Sequence, residues 1–83
     1  QGDWERALRY YQRAIALNPL DSRLLYSTGI IHAKLDEIEE ATRLIALAIE
    51  HATLRAEVDD YEFFLKRLRR EAPAGLDSPL AGI

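Results

Sequence analysis

The sequence contains no cysteine and no methionine, and only one tryptophan, three prolines and four glycines among 83 residues. The absence of cysteine excludes disulfide bonds and thiolate metal sites but leaves the compartment open, with the cytoplasm as a default. No apolar run approaches the roughly 20 residues that a membrane-spanning helix needs, so we expect no membrane span. Because methionine is absent, we expect the chain to be a piece of a longer or processed protein.

Charged residues make up 30% of the chain, yet the net charge is only −3. This small net charge gives no reason to expect nucleic acid as a partner. The sequence has one basic cluster, which consists of Lys66, Arg67, Arg69 and Arg70. It lies at the end of a predicted helix, where the helix dipole favours cations, so we interpret it as structural.

Apolar residues recur at three- and four-residue spacing in four segments, which predicts an all-α fold. We expect helices near residues 3–17, 22–35, 37–51 and 55–71. These helices form one predicted helical-repeat domain over residues 1–71. Pro73 then ends the last helix, so residues 72–83 are expected to form an irregular tail.

Two of the three predicted turns carry helix-starting residues. Asp21 or Ser22 is expected to cap the second helix. Asp36 and Glu39 have the spacing of a capping box for the third helix. The third turn, at residues 51–54, follows from the repeat described next and not from local residues. A single continuous helix across it remains an alternative, one that would favour exchange of segments between copies.

Part of the sequence occurs twice with a shift of 34 residues. The shift places four residues of the first helix on four of the third: Trp4 on Ile38, Ala7 on Ala41, Tyr11 on Ile45 and Ala14 on Ala48. A fixed period of this size is typical of stacked helical repeats. Gly29, which costs about 1 kcal/mol relative to alanine inside a helix, indicates that a neighbouring helix approaches closely there.

These residues resemble the tetratricopeptide repeat family, whose unit is two antiparallel helices in about 34 residues. Gly29, Ala41 and Ala48 occupy the family's small-residue positions in one complete unit, and Ala7 and Ala14 match the second half of a preceding unit. The last helix resembles the one that caps such arrays. The chain departs from the family pattern at Leu25, Thr28, His32, Asp36 and Thr53.

The resemblance implies a scaffold, not an enzyme, that binds a peptide or protein on the inner face of the first helix of each unit. In this chain that face comprises Arg23, Tyr26, Ser27, Ile30, Ala33 and Lys34. Some family members clamp a C-terminal carboxylate with asparagines on this face. Ser27 and Ile30 stand at those positions, so we expect no such clamp here.

The same alignment leaves the first helix without the helix that precedes it in the family. Its apolar stripe would then be partly bare: Trp4, Leu8, Tyr11 and Ile15. Exposed apolar patches of this kind are usually interfaces. We therefore keep two alternatives to peptide binding. One is self-association, for example as a homodimer, through this stripe or its docking to a further segment. The other is regulation of an enzyme fused elsewhere in a parent protein.

No group of residues predicts catalysis, a metal site or a cofactor. No nucleophile stands with a base, and no glycine-rich phosphate loop occurs. Neither His32 nor His51 has a second ligand four residues away. We interpret His32 as a packed histidine and the acids that begin at Asp36 as a solvated first helical turn.

Overall fold

The computed structural model describes residues 2–71, and four α-helices account for most of them. They are α1 (Gly2–Leu17), α2 (Ser22–Lys34), α3 (Ile38–His51) and α4 (Arg55–Glu71). Each helix packs against the next along the chain. The prediction of an all-α fold with about four helices is confirmed. The predicted irregular tail, residues 72–83, lies outside the described part.

Asp21 is the residue that caps α2. Its carboxylate accepts hydrogen bonds from the backbone N–H groups of Arg23 and Leu24, at 3.0 and 3.3 Å. These two groups are among the helix-start donors that have no partner within the helix. The turn before it is closed by a bond of 3.2 Å from the Asp21 N–H to the carbonyl of Asn18.

The predicted capping box at Asp36 and Glu39 is wrong. Asp36 has a φ of 65° and lies in the turn, and the N-cap residue of α3 is Glu37, whose side chain makes no capping bond. Asp36 instead ends α2: its N–H donates to the carbonyl of Ala33 at 3.0 Å, and the Glu37 N–H donates to that of His32 at 2.8 Å. This is the Schellman pattern, whose left-handed position usually holds glycine.

The chain leaves helical geometry between α3 and α4. Ala52 has a ψ of 142°, which is extended, and its N–H makes one last bond of 3.3 Å to the carbonyl of Ile49. The next helix begins at Arg55. The two helices are therefore separate, and the single continuous helix considered as an alternative is not formed.

The core is built around α3, whose buried side chains contact residues of α2 and α4. Its buried hydrophobic members are Leu25, Ala41, Leu44, Ile45, Ala48, Tyr61, Leu65 and Leu68. Gly29 lies where α2 crosses α3, and a β-carbon there would fall 2.6 Å from Cγ1 of Ile45. The close approach predicted from this glycine is present. The buried hydroxyl of Thr28 donates to the Leu24 carbonyl at 2.8 Å and so is satisfied within α2.

The two ends of the helical stack differ in chemistry. A shift of 34 residues carries the α2 residues that face α3 onto α4: Leu25 onto Asp59, Thr28 onto Glu62, Gly29 onto Phe63 and His32 onto Lys66. All four α4 residues are exposed. Three of them are charged, so this face of α4 suits solvent and not a further helix. α4 therefore caps the stack at this end.

Candidate functional site

A groove of about 390 Å³ opens between α1 and α2. Its lining is mostly apolar and aromatic, and consists of Trp4, Ala7, Tyr11, Tyr26, Ser27, Ile30 and Ile31. Concave sites lined by aromatic side chains with a few polar groups are typical binding sites.

One wall of the groove comes from a single stripe of α1. Trp4, Ala7 and Tyr11 follow at helical spacing, so they lie on one face. The small side chain of Ala7 leaves space between the two aromatic residues. Trp4 is 39% exposed, and its ring lies 6.0 Å from Nζ of Lys34 on α2. This distance is at the limit of a cation–π contact, so Lys34 borders the groove at the indole.

The other wall is held in place from behind by α4. The ring of Tyr26 stacks on that of Tyr61, with a centroid distance of 4.1 Å and an interplanar angle of 16°, and meets Phe64 edge-on at 6.1 Å. Such pairs add to the stabilisation that burial gives. Burial raises the pKa of Tyr26, and the nearby carboxylate of Asp60 raises it further. The Tyr26 hydroxyl therefore stays neutral at physiological pH.

Arg23 belongs to another part of the surface. Its Nε lies 3.2 Å from Oε2 of Glu57, across from α2 to α4. Arg23 also lines a polar recess of about 500 Å³ at the end of the bundle, beside His51 and Thr53. Of the predicted partner-binding residues, the structure thus brings Tyr26, Ser27 and Ile30 into the groove, leaves Lys34 at its edge and places Arg23 outside it.

The predicted self-association residues are also divided. Trp4 and Tyr11 line the same groove as Tyr26 and Ile30, so the two predicted sets meet in one place. Leu8 is half-buried, and Ile15 packs against the core. The most exposed apolar residues of α1 are Tyr10 and Leu17, which the sequence had not singled out; Tyr10 meets Tyr11 edge-on at 5.7 Å.

Sequence reasoning missed three residues that support the site: Tyr61 and Phe64, which hold Tyr26, and Glu57, which pairs with Arg23. One signal could have found them. Arg23 and Glu57 are separated by 34 residues, the repeat period. Equivalent helices of adjacent repeats lie side by side, so residues one period apart are brought into contact.

The described residues offer no chemistry beyond binding. Between residues 2 and 71, no group of three or more His, Asp or Glu side chains is placed to hold a metal ion. His32 is half-buried, and its Nδ1 donates to Oε1 of Glu37 at 2.6 Å. Within the same residues, no helix has both the length and the apolar character needed to cross a membrane.

Comparisons with known proteins agree with this architecture. The tetratricopeptide repeat model matches residues 1–21. Photosystem I assembly protein Ycf3 of Acaryochloris marina (strain MBIC 11017) is 48% identical over 44 residues, which is 52% of this chain. The match covers only 26% of that protein, so the chain spans about a quarter of its relative. No solved structure matches the chain.

The stacked helical hairpins define a helical-repeat protein of the kind that presents surfaces to other proteins. The family match and the relative make the assignment specific: the chain carries tetratricopeptide repeat sequence, as its residues predicted. Tetratricopeptide repeats generally mediate protein–protein interaction.

Proposed function

We propose that the chain is a protein-binding module and that the groove between α1 and α2 takes an apolar side chain from a partner polypeptide. One observation supports this most: Trp4, Tyr11, Tyr26 and Ile30 surround a single concavity in place of a filled core. Aromatic residues that line such concavities dominate the energy of many protein interfaces.

The rigidity of the groove supports the same proposal. Tyr26 is fixed by Tyr61 and Phe64, so little side-chain freedom remains to be lost when a partner binds. Binding surfaces that are ordered in advance lose less entropy on association. Ser27 provides a hydroxyl inside the groove and Lys34 a cation at its edge, which would orient a peptide backbone.

The relative supports the class of function and not a particular partner. It is named for the assembly of photosystem I. Assembly of a multisubunit complex requires contacts with other polypeptides, and a repeat surface with a shaped groove fits that role. Whether this chain acts in any assembly is part of the proposal.

The groove can be tested with a small probe for an apolar side chain. The experiment titrates N-acetyl-leucinamide to millimolar concentration and follows residue-resolved NMR shifts together with the fluorescence of Trp4, the only tryptophan of the chain. Shifts should concentrate at Trp4, Tyr26 and Ile30. Ser27→Leu, which fills the groove, should abolish them at an unchanged circular dichroism spectrum.

The matched control is Phe63→Ala, which removes an exposed aromatic residue far from the groove on α4. It should leave the titration as it is in the parent chain. If shifts spread over Phe63 as much as over the groove, or if Ser27→Leu leaves them intact, the groove is not the binding site.

A further inference from the structure

The outward face of α1 is a second apolar surface, separate from the groove. Tyr10 is 70% exposed and Leu17 is 82% exposed, and the small residue Ala14 lies between them at helical spacing. Asp3 begins the same face one and a half to two turns before Tyr10. We call these four residues the α1 outer face.

The internal repeat shows what this kind of face contacts. Tyr10 corresponds to Leu44 one period later, and Ala14 corresponds to Ala48. Leu44 is 7% exposed and Ala48 is fully buried, because α3 lies in the centre of the stack. In α1 the same positions carry apolar or small side chains, yet nothing among the described residues covers Tyr10.

The two ends of the stack are therefore unlike each other. At the α4 end, Asp59, Glu62 and Lys66 make the face polar. At the α1 end, the corresponding surface can receive another helix. A stack with a single apolar end can pair with one copy only, since no second apolar end remains for a third.

We propose that the α1 outer face binds a second copy of the chain, with the two α1 helices antiparallel about a two-fold axis near Tyr10. The antiparallel arrangement places Asp3 of one copy within reach of the partner's Arg13, twice by symmetry. Ala14 allows the helices to approach closely, as Ala41 and Ala48 do in the core. This charge complementarity favours a second copy over an unrelated helix.

The contact forms a closed dimer and leaves the wall of the groove that α2 provides uncovered. It does not depend on the binding of a partner in the groove. Failure of one proposal therefore leaves the other standing, because Ser27 lies on α2 and Tyr10 lies on the opposite side of α1.

The test is sedimentation equilibrium of the whole chain from micromolar to millimolar concentration. The parent chain should form a dimer, and Tyr10→Glu should weaken it at least tenfold. The matched control is Phe63→Glu, which changes an aromatic residue of similar exposure, 64%, at the polar end. It should leave the dimer unchanged. Circular dichroism at the lowest concentration shows that both variants are folded.

Charge reversal gives a second, independent readout. Asp3→Arg alone should weaken the dimer because it sets two cations against each other, and Asp3→Arg with Arg13→Asp should restore it. A parent chain that stays monomeric to millimolar concentration would overturn the proposal. So would equal dissociation by Phe63→Glu and Tyr10→Glu, or a failure of the double reversal to rescue.

Discussion

Gly29 and Ile45 lie in such close contact that the helices α2 and α3 have no room for a single additional carbon between them. A β-carbon on Gly29 would lie 2.6 Å from Cγ1 of Ile45 and 3.3 Å from the carbonyl oxygen of Ala41. Ile45 is fully buried, so its side chain has nowhere to move without disturbing the core. The glycine thus sets the distance between the two central helices.

Gly29→Ala is expected to destabilise the protein despite the higher helix propensity of alanine. Propensity alone would contribute about 1 kcal/mol in favour of alanine. Overpacking a tight core typically costs about 1–3 kcal/mol, and here the clash involves a buried side chain and backbone. We expect a net loss of about 1 kcal/mol in the free energy of unfolding, measured by urea denaturation.

A double-mutant cycle with Ile45→Ala separates the clash from propensity. Alanine at position 45 removes Cγ1 and Cδ1, so Gly29→Ala should be neutral or stabilising in that background. Equal effects of Gly29→Ala in both backgrounds would show that Ile45 does not limit the approach of the helices.

Asp36→Gly is expected to stabilise the protein. Asp36 has a φ of 65°, in the left-handed region, which disfavours residues with a side chain by about 1–2 kcal/mol, less for aspartate than for most. Glycine removes this cost and keeps both backbone bonds of the Schellman turn. We expect a gain of about 0.5–1 kcal/mol and a higher melting temperature. Asp36→Ala is the control and should destabilise, and a glycine variant no more stable than the alanine variant would contradict the assignment.

Stability should fall at alkaline pH because of the stacked tyrosines. Burial raises the pKa of Tyr26 and of Tyr61 above the ordinary 10.0, and neighbouring carboxylates add to it. When the folded state has the higher pKa, its contribution to stability is complete below the unfolded pKa and is lost as the pH rises above it. The free energy of unfolding by urea should therefore decline from about pH 10 upward.

Tyr61→Phe supplies the control for this decline. It removes one titrating hydroxyl and keeps the ring that stacks on Tyr26. The slope of stability against pH above pH 10 should become shallower than in the parent chain. An unchanged slope would assign the alkaline loss to other groups.

The exposed pair Glu40 and Arg43 should show in acid titration but hardly in stability. A hydrogen bond of 3.1 Å from Nε of Arg43 to Oε1 lowers the pKa of Glu40 below 4.5, with the charge of Arg43 adding to it. A lowered folded pKa gives stability that is present above the unfolded pKa and is lost as the pH falls through the folded value. Solvent screens exposed pairs, so this contribution is small.

The measurement is an NMR titration of the Glu40 side chain between about pH 2 and pH 6. Arg43→Ala should raise the midpoint toward the ordinary 4.5. The unpaired Glu39 side chain, followed in the same spectra, should titrate alike in both proteins. A Glu40 midpoint that does not move would remove Arg43 as the cause.

The sequence foretold the helices and the role of Gly29 because both depend on short spacings that one helix carries by itself. It did not foretell the role of Asp36, since aspartate is common both as a helix cap and in the left-handed turn. The choice between them depends on where α2 ends. The backbone settles it by closing α2 with bonds to Ala33 and His32.

The composition of the groove was beyond local reasoning for a different reason. Trp4 and Tyr26 were assigned to two different surfaces because each was judged on its own helix. They share one concavity because α1 crosses α2 near Ala7. Likewise, the stacking of Tyr26 on Tyr61 joins residues far apart in sequence, and only the placement of α4 beside α2 shows it.

The charged face of α4 has a consequence for how such a protein could lengthen during evolution. Duplicating a hairpin after α4 would bury Asp59, Glu62 and Lys66 under the new helices, and each unpaired charge would cost several kcal/mol. Inserting a copy of α2 and α3 between α1 and α4 would bury only surfaces that already fit one another. Growth by gene duplication is therefore permitted inside the stack and opposed at its charged end.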